Sequence, residues 1–128
     1  MNLKTVTSPR MSWSFRLQLW IPVLLWAFLI WHLSTIPHLR FITSWWDYPF
    51  RKLGHMTVFG ILARLFARAL TGETYWSWKK IFYSALLVTC LYAASDEIHQ
   101  RFVEGRHGSP VDVLIDTFGA WVALGFHP

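Results

Sequence analysis

Charge is scarce in this chain. Of its 128 residues 15% are charged, whereas 54% are hydrophobic and nine are tryptophan. A soluble domain of this length has too little core to hide such a composition, while a bilayer with roughly 30 Å of hydrocarbon accepts spans of about 20 apolar residues with no core at all. Cysteine is nearly absent too. Cys90 stands alone in an apolar run, which excludes an internal disulfide and a cysteine-based metal site and leaves it as a small helix-packing residue. Acidic residues number seven against twelve Lys and Arg, a net charge of +5. In so apolar a chain that excess points to anionic lipid and to orientation signals, and no nucleic acid is expected as a partner. Internal repeats, low-complexity tracts and linkers are also missing, so residues 1–128 read as a single membrane domain. The fold class expected is all-α: a polytopic membrane protein with four transmembrane helices in a small bundle.

The first span, residues 17–36 (LQLWIPVLLWAFLIWHLSTI), is apolar on every side apart from Gln18 and His32. Pro22 lies near its start, where a helix tolerates it. Basic residues precede this run, as in a signal peptide, but it is too long and no small-residue cleavage site follows, so it is expected to stay attached. The second span, residues 49–70, carries Arg64 and Arg68 on one face of its last turns, from where their stems can snorkel to the headgroups. The third covers 80–102. The fourth, 110–126, starts at Pro110, a favourable first-turn residue.

Orientation follows from counting Lys and Arg on alternate sides. Lys4, Arg10, Arg16, Arg64, Arg68, Lys79 and Lys80 fall on one side; Arg40, Arg51, Lys52, Arg101 and Arg106 fall on the other. Seven against five puts both termini in the cytoplasm. Trp20, Trp76 and Trp78 at one interface, with Trp31, Trp45 and Trp46 at the other, fit aromatic belts.

Four alternating spans bring the start of the second, the end of the third and the start of the fourth to one membrane surface. The polar residues sit there: RKLGH (Arg51–His55), SDEIHQ (Ser95–Gln100), the VEGRHGSP loop and DVLID (Asp112–Asp116). His32, near the end of the first span, is placed to join them. Helical spacing puts Asp96, His99, Gln100 and Val103 on one face and Glu97, Arg101 and Glu104 on the next. Lys52 and His55 are three apart, and Asp112 and Asp116 are four apart, with Gly119 following. An ionisable group deep in a span costs about 2.5–3.5 kcal/mol, so Asp116 and His55, one turn inside, call for a reason. Two carboxylates one turn apart also repel unless Lys52, Arg106 or a bound metal relieves them.

Three chemistries compete for this cluster. His55, Glu97, His99, Asp112 and Asp116 could ligate a divalent metal, but no HExxH is present and interleaved Arg and Lys suit an anion better, so no metal or other cofactor is expected. His55 and Glu97 could serve as a catalytic acid–base pair while Arg106 holds a phosphate or carboxylate; the class would then be a hydrolase or transferase acting on a lipid-linked substrate. The third is a binding pocket without turnover. Ser95 and Ser109 lack a base partner, so no nucleophile stands out.

The segments KLGHMTVFGILA and SDEIHQRFVEGRHGSPVDVLIDTFGA resemble the VanZ-like family of small bacterial membrane proteins. The resemblance runs from about Lys52 to Gly125 and rests on Lys52, His55, Glu97, Gln100, Gly105, Arg106, Asp112, Asp116 and Gly119 in that order. Asp96 and His99 belong to a narrower DEIHQ form of the motif. The resemblance implies a multi-span cytoplasmic-membrane protein; the named member confers low-level resistance to the glycopeptide teicoplanin, and membership fixes no reaction. The function expected is an outward-facing pocket that binds or modifies an anionic envelope lipid or lipid-linked wall precursor. Lys52, Asp96, His99, Gln100, Arg106, Asp112 and Asp116 would bind the substrate. A buried ion-pair network locking a structural or accessory subunit is the alternative, with a membrane-protein partner or a second copy of the chain as its partner.

Overall fold

The computed structural model describes residues 11–37 and 44–127; Lys4, Arg10 and Arg40 of the charge count lie outside the described residues. Among those described, four α-helices and no strand form: α1 (Trp13–Ser34), α2 (Asp47–Glu73), α3 (Trp78–Gln100) and α4 (Pro110–Gly125). The first three are long and apolar enough to cross a membrane. At 16 residues α4 is shorter, roughly 24 Å at 1.5 Å per residue.

Local chemistry sets the helix ends. Ser12 Oγ accepts from the Phe15 N–H at 3.3 Å to start α1, and Ser109 Oγ accepts from the Val111 N–H at 3.2 Å to start α4, with Pro110 in the first turn. Helix α3 stops at Gln100, two residues short of the expected limit. The Arg101 N–H turns back to the Ile98 carbonyl at 3.2 Å and tightens the last turn. Inside α1, Pro22 cannot donate to the Gln18 carbonyl one turn earlier. Arg68 Nη2 donates to that carbonyl at 2.8 Å, so one of the three arginines in α2 repairs a defect in α1.

Much of the outside of the bundle is apolar, with Arg64 and Arg68 of α2 exposed on it as exceptions. Leu24, Leu25, Phe28, Leu87 and Leu91 are 59–65% exposed, a surface suited to lipid and not to water. The interior is built largely from small residues, Ala63, Ala67, Ala85, Ala93 and Ala120, around Phe59 and Leu124. Small side chains let helix backbones approach closely, which is how helices pack where lipid is as apolar as the core. Helices α2 and α4 approach closely at Gly119, where any Cβ would overlap the backbone of Met56. Helices α2 and α4 run in the same direction, with Lys52 beside Asp112 and His55 beside Asp116; α1 and α3 run together too, Ser34 meeting Asp96. Trp26 Nε1 donates to the Val58 carbonyl at 2.8 Å and joins the two pairs. Consequently the end of α1, the start of α2, the end of α3 and the start of α4 all meet at one end of the bundle. The opposite end is tied by Glu73, which accepts from Trp20 Nε1 at 2.7 Å and faces Arg16 Nε at 3.4 Å.

Candidate functional site

The polar end has three parts. At its rim, between α2 and α4, Lys52 and Asp112 form an ion pair, and Lys52 Nζ also lies 5.1 Å from the centre of the Tyr48 ring. Asp112 is therefore neutralised within the chain. One turn deeper, His55 Nδ1 stands 3.4 Å from Asp116 Oδ2. Glu97 reaches the same place from α3, and its Oε2 accepts the Ser109 N–H at 3.0 Å, tying the interhelical loop to the end of α3. One ligating atom from each of His55, Glu97 and Asp116 lies within 4.8 Å of the others. Asp116 is wholly buried and Glu97 nearly so. The His55 ring lies over Phe59, with centroids 6.3 Å apart and planes 27° apart.

The second part is a link between α1 and α3. Ser34 Oγ donates to Asp96 Oδ1, and Gln100 Nε2 donates to Asp96 Oδ2 at 3.0 Å. All three side chains are buried. Both oxygens of Asp96 are thus engaged by the chain itself, as a buried carboxylate requires. His99 stands apart from this link, its ring 5.7 Å from that of Trp31. His32 does not join the cluster: it is exposed and stacks on Phe28, because its position in the last turn of α1 points it away from α3.

The third part is a cavity of about 150 Å³ between α1, α2 and α3. Arg51, His55, Gln100, Arg106 and Ser34 supply its polar wall; Ile30, Leu33, Phe50, Val58 and Phe59 supply the apolar one. Arg106 reaches it from the loop, where Gly105 takes a left-handed φ of 74° that favours glycine. Its Nε donates to the Ile36 carbonyl at 3.2 Å and its Nη2 to the Leu33 carbonyl at 2.9 Å, capping α1. Arg51 Nε lies 3.0 Å from Asp47 Oδ2. Burial, and then the neighbouring Arg51 guanidinium, lower the Arg106 pKa, with Asp96 and Glu97 acting in the opposite sense. Two guanidiniums line this small cavity; Asp47 balances Arg51, while Arg106 is bonded to carbonyl oxygens and carries a charge that an anion would relieve.

The structure thus separates residues that the sequence grouped. Glu97 turns inward with Asp96 and Gln100, while Arg101 and Glu104 are exposed. The expected Glu97–Arg101–Glu104 face does not form because α3 ends at Gln100. Arg106 lines the cavity against the end of α1, whereas Lys52 pairs with Asp112 between α2 and α4 and is not among that cavity's lining residues. Arg51 and Ser34 line the cavity, although neither is among the substrate-binding residues expected from the sequence. Arg51 carried a usable signal, since it stands four residues before His55 and so shares its face. Ser34 carried none beyond being polar near a helix end.

The family model for VanZ/LLP1 matches residues 4–128. That extends the resemblance, expected from Lys52 onward, over α1, which supplies Ser34 and the carbonyls held by Arg106. No curated protein and no solved structure matches the chain. By its sequence from residue 4 to its last residue, and with apolar helices able to cross a bilayer, this membrane protein belongs to the VanZ/LLP1 family.

Proposed function

We propose that the cavity between α1, α2 and α3 binds the anionic group of a cell-envelope lipid or lipid-linked wall precursor at the outer surface of the bacterial cytoplasmic membrane. The observation that carries this reading is the pairing of Arg51 and Arg106 on one cavity whose remaining wall is mostly apolar. Guanidinium groups present forked donors that match phosphate and carboxylate. Drug-sized ligands fill roughly 300–1,000 Å³; at about 150 Å³ the cavity suits one anionic group and the carbons next to it, with the rest of the lipid outside. In this reading α4 is a fourth span. Its outward residues Val111, Leu114, Phe118 and Trp121 are 53–69% exposed and lie on one stripe, and α4 runs beside α2 in the same direction. Both termini are then cytoplasmic and the cavity faces outward, in keeping with the seven-to-five excess of Lys and Arg.

The test is lipid retention by the protein purified in mild detergent, measured by native mass spectrometry. Phosphate-bearing lipids should be retained over zwitterionic ones. Arg51→Gln should weaken that retention by roughly tenfold or more, as expected for loss of a charge-assisted hydrogen bond of about 1.5–3 kcal/mol. Equal retention of both lipid classes, unaffected by Arg51→Gln, would contradict the reading. If the bound lipid is a wall precursor, expression of the chain in a sensitive host raises the teicoplanin concentration needed to stop growth, and Arg51→Gln removes the effect.

A second reading has its own observation. Arg106 donates twice to α1, Asp96 is fully engaged, and Lys52 is paired with Asp112. A purely structural network of this kind, in an accessory subunit of an envelope complex, calls for reduced abundance in Arg106→Ala and Asp112→Asn and no lipid preference.

A further inference from the structure

Two carboxylates buried in an apolar bundle are costly unless positive charge lies against them. Asp116 is 0% exposed and Glu97 is 3% exposed. Each keeps one oxygen, Asp116 Oδ1 and Glu97 Oε1, buried without a hydrogen-bond partner among the described residues. Lys52 is already paired with Asp112, and Arg106 donates to the α1 carbonyls. The remaining group that converges on both carboxylates is the His55 imidazole.

We propose that His55, Glu97 and Asp116 form a binding site for a divalent transition-metal ion such as Zn2+ or Mn2+. One imidazole nitrogen with two carboxylate oxygens is a borderline-to-hard donor set that suits these ions. Neutral histidine and two carboxylates carry a charge of −2, which a single divalent ion cancels. Ligands held at about 2.0–2.2 Å from one ion stand roughly 3–4 Å apart, so donor atoms already within 4.8 Å of one another need to contract by about 1 Å. The supports that hold such ligands are in place: the Ser109 N–H orients Glu97 at 3.0 Å, and Phe59 underlies the His55 ring. Three protein ligands leave a position for a further group. His55 also lines the cavity of Arg51 and Arg106, so the two sites share that residue. The metal site stands whichever anion the cavity takes.

The competing arrangement is an imidazolium beside one ionised and one protonated carboxyl, which also cancels the charge. The whole chain, purified with a tag free of histidine, separates the two. It is stripped with a chelator, reloaded with Zn2+ or Mn2+, and examined for metal content by mass spectrometry and for ligand identity by X-ray absorption. The expected result is about one ion per chain, bound by nitrogen and oxygen with a single imidazole and no sulfur. Asp116→Asn and Glu97→Gln, which keep side-chain shape, should bring metal content to background while the protein still elutes as a single folded species. Asp112→Asn, outside the triad, should keep it. Wild-type protein that takes up neither ion, more than one imidazole in the absorption spectrum, or uptake unchanged in both variants overturns the proposal. Should a variant fail to fold, the wild-type uptake and spectrum decide the matter alone.

Discussion

Asp96 illustrates how a single polar residue is held inside an apolar bundle. Its two oxygens are satisfied from two helices, by Ser34 of α1 and Gln100 of α3, so the carboxylate joins those helices as well as being buried by them. Removing a donor while leaving the acceptor buried costs about 1–3 kcal/mol. Ser34→Ala is therefore expected to lower the thermal unfolding temperature in detergent, whereas Ser95→Ala, at an exposed position, should leave it nearly unchanged. An unaltered unfolding temperature in Ser34→Ala would show that water replaces the hydroxyl. The candidate site was legible at this scale in its residue types and its location. Lys52, His55, Glu97, Gln100, Arg106, Asp112 and Asp116 all come to one end of the bundle, as alternating spans require. The pairing was not legible, because it depends on how each helix is rotated about its own axis. Parity says which end a residue occupies; it does not say that Arg106 turns to α1 while Lys52 turns to α4.

At the scale of helices, contact between α2 and α4 sets the depth of the site. Gly119 admits the backbone of Met56, and this approach brings His55 level with Asp116 and Lys52 level with Asp112. A methyl group there must push the helices apart, and overpacking of this kind costs about 1–3 kcal/mol. Gly119→Ala should reduce thermal stability by that order and lower metal uptake in the experiment above; full stability would mean that the helices can slide without loss. The end of α1 depends on the loop after α3 in a comparable way. Arg106→Ala removes two hydrogen bonds to the carbonyls of Leu33 and Ile36. Amide exchange around Thr35 and Ile36 should then quicken roughly fivefold or more, for a loss near 1 kcal/mol per bond. Exchange that stays slow would show that α1 is capped without Arg106. The helices themselves were plain in the sequence, because about 20 apolar residues in a row have one economical structure in lipid. Their ends shifted by a few residues, since hydropathy locates the bilayer and caps locate the helix. The Arg68 bond to the carbonyl left free by Pro22 was beyond the sequence, which shows each oddity but not their meeting.

The whole molecule gathers most of its polarity at two ends, with a largely apolar surface between them that Arg64 and Arg68 interrupt. A network of Arg16, Trp20 and Glu73 closes one end, and the candidate site occupies the other. With α4 as a fourth span, a reporter fused after residue 128 reports the cytoplasm, and one placed in the 101–109 loop reports the outside. Both reporters on the same side would leave α4 lying at the surface and would reverse the argument for the cavity's orientation. The central claim concerns the cavity between α1, α2 and α3, where Arg51 and Arg106 face a common space. Its most direct test is a high-resolution structure of the protein in a bilayer of phosphatidylglycerol and phosphatidylcholine. The account predicts density for an anionic headgroup within hydrogen-bond distance of Arg51 and Arg106, absent in Arg51→Gln. A cavity filled by protein side chains, or by an acyl tail with its headgroup elsewhere, would contradict it.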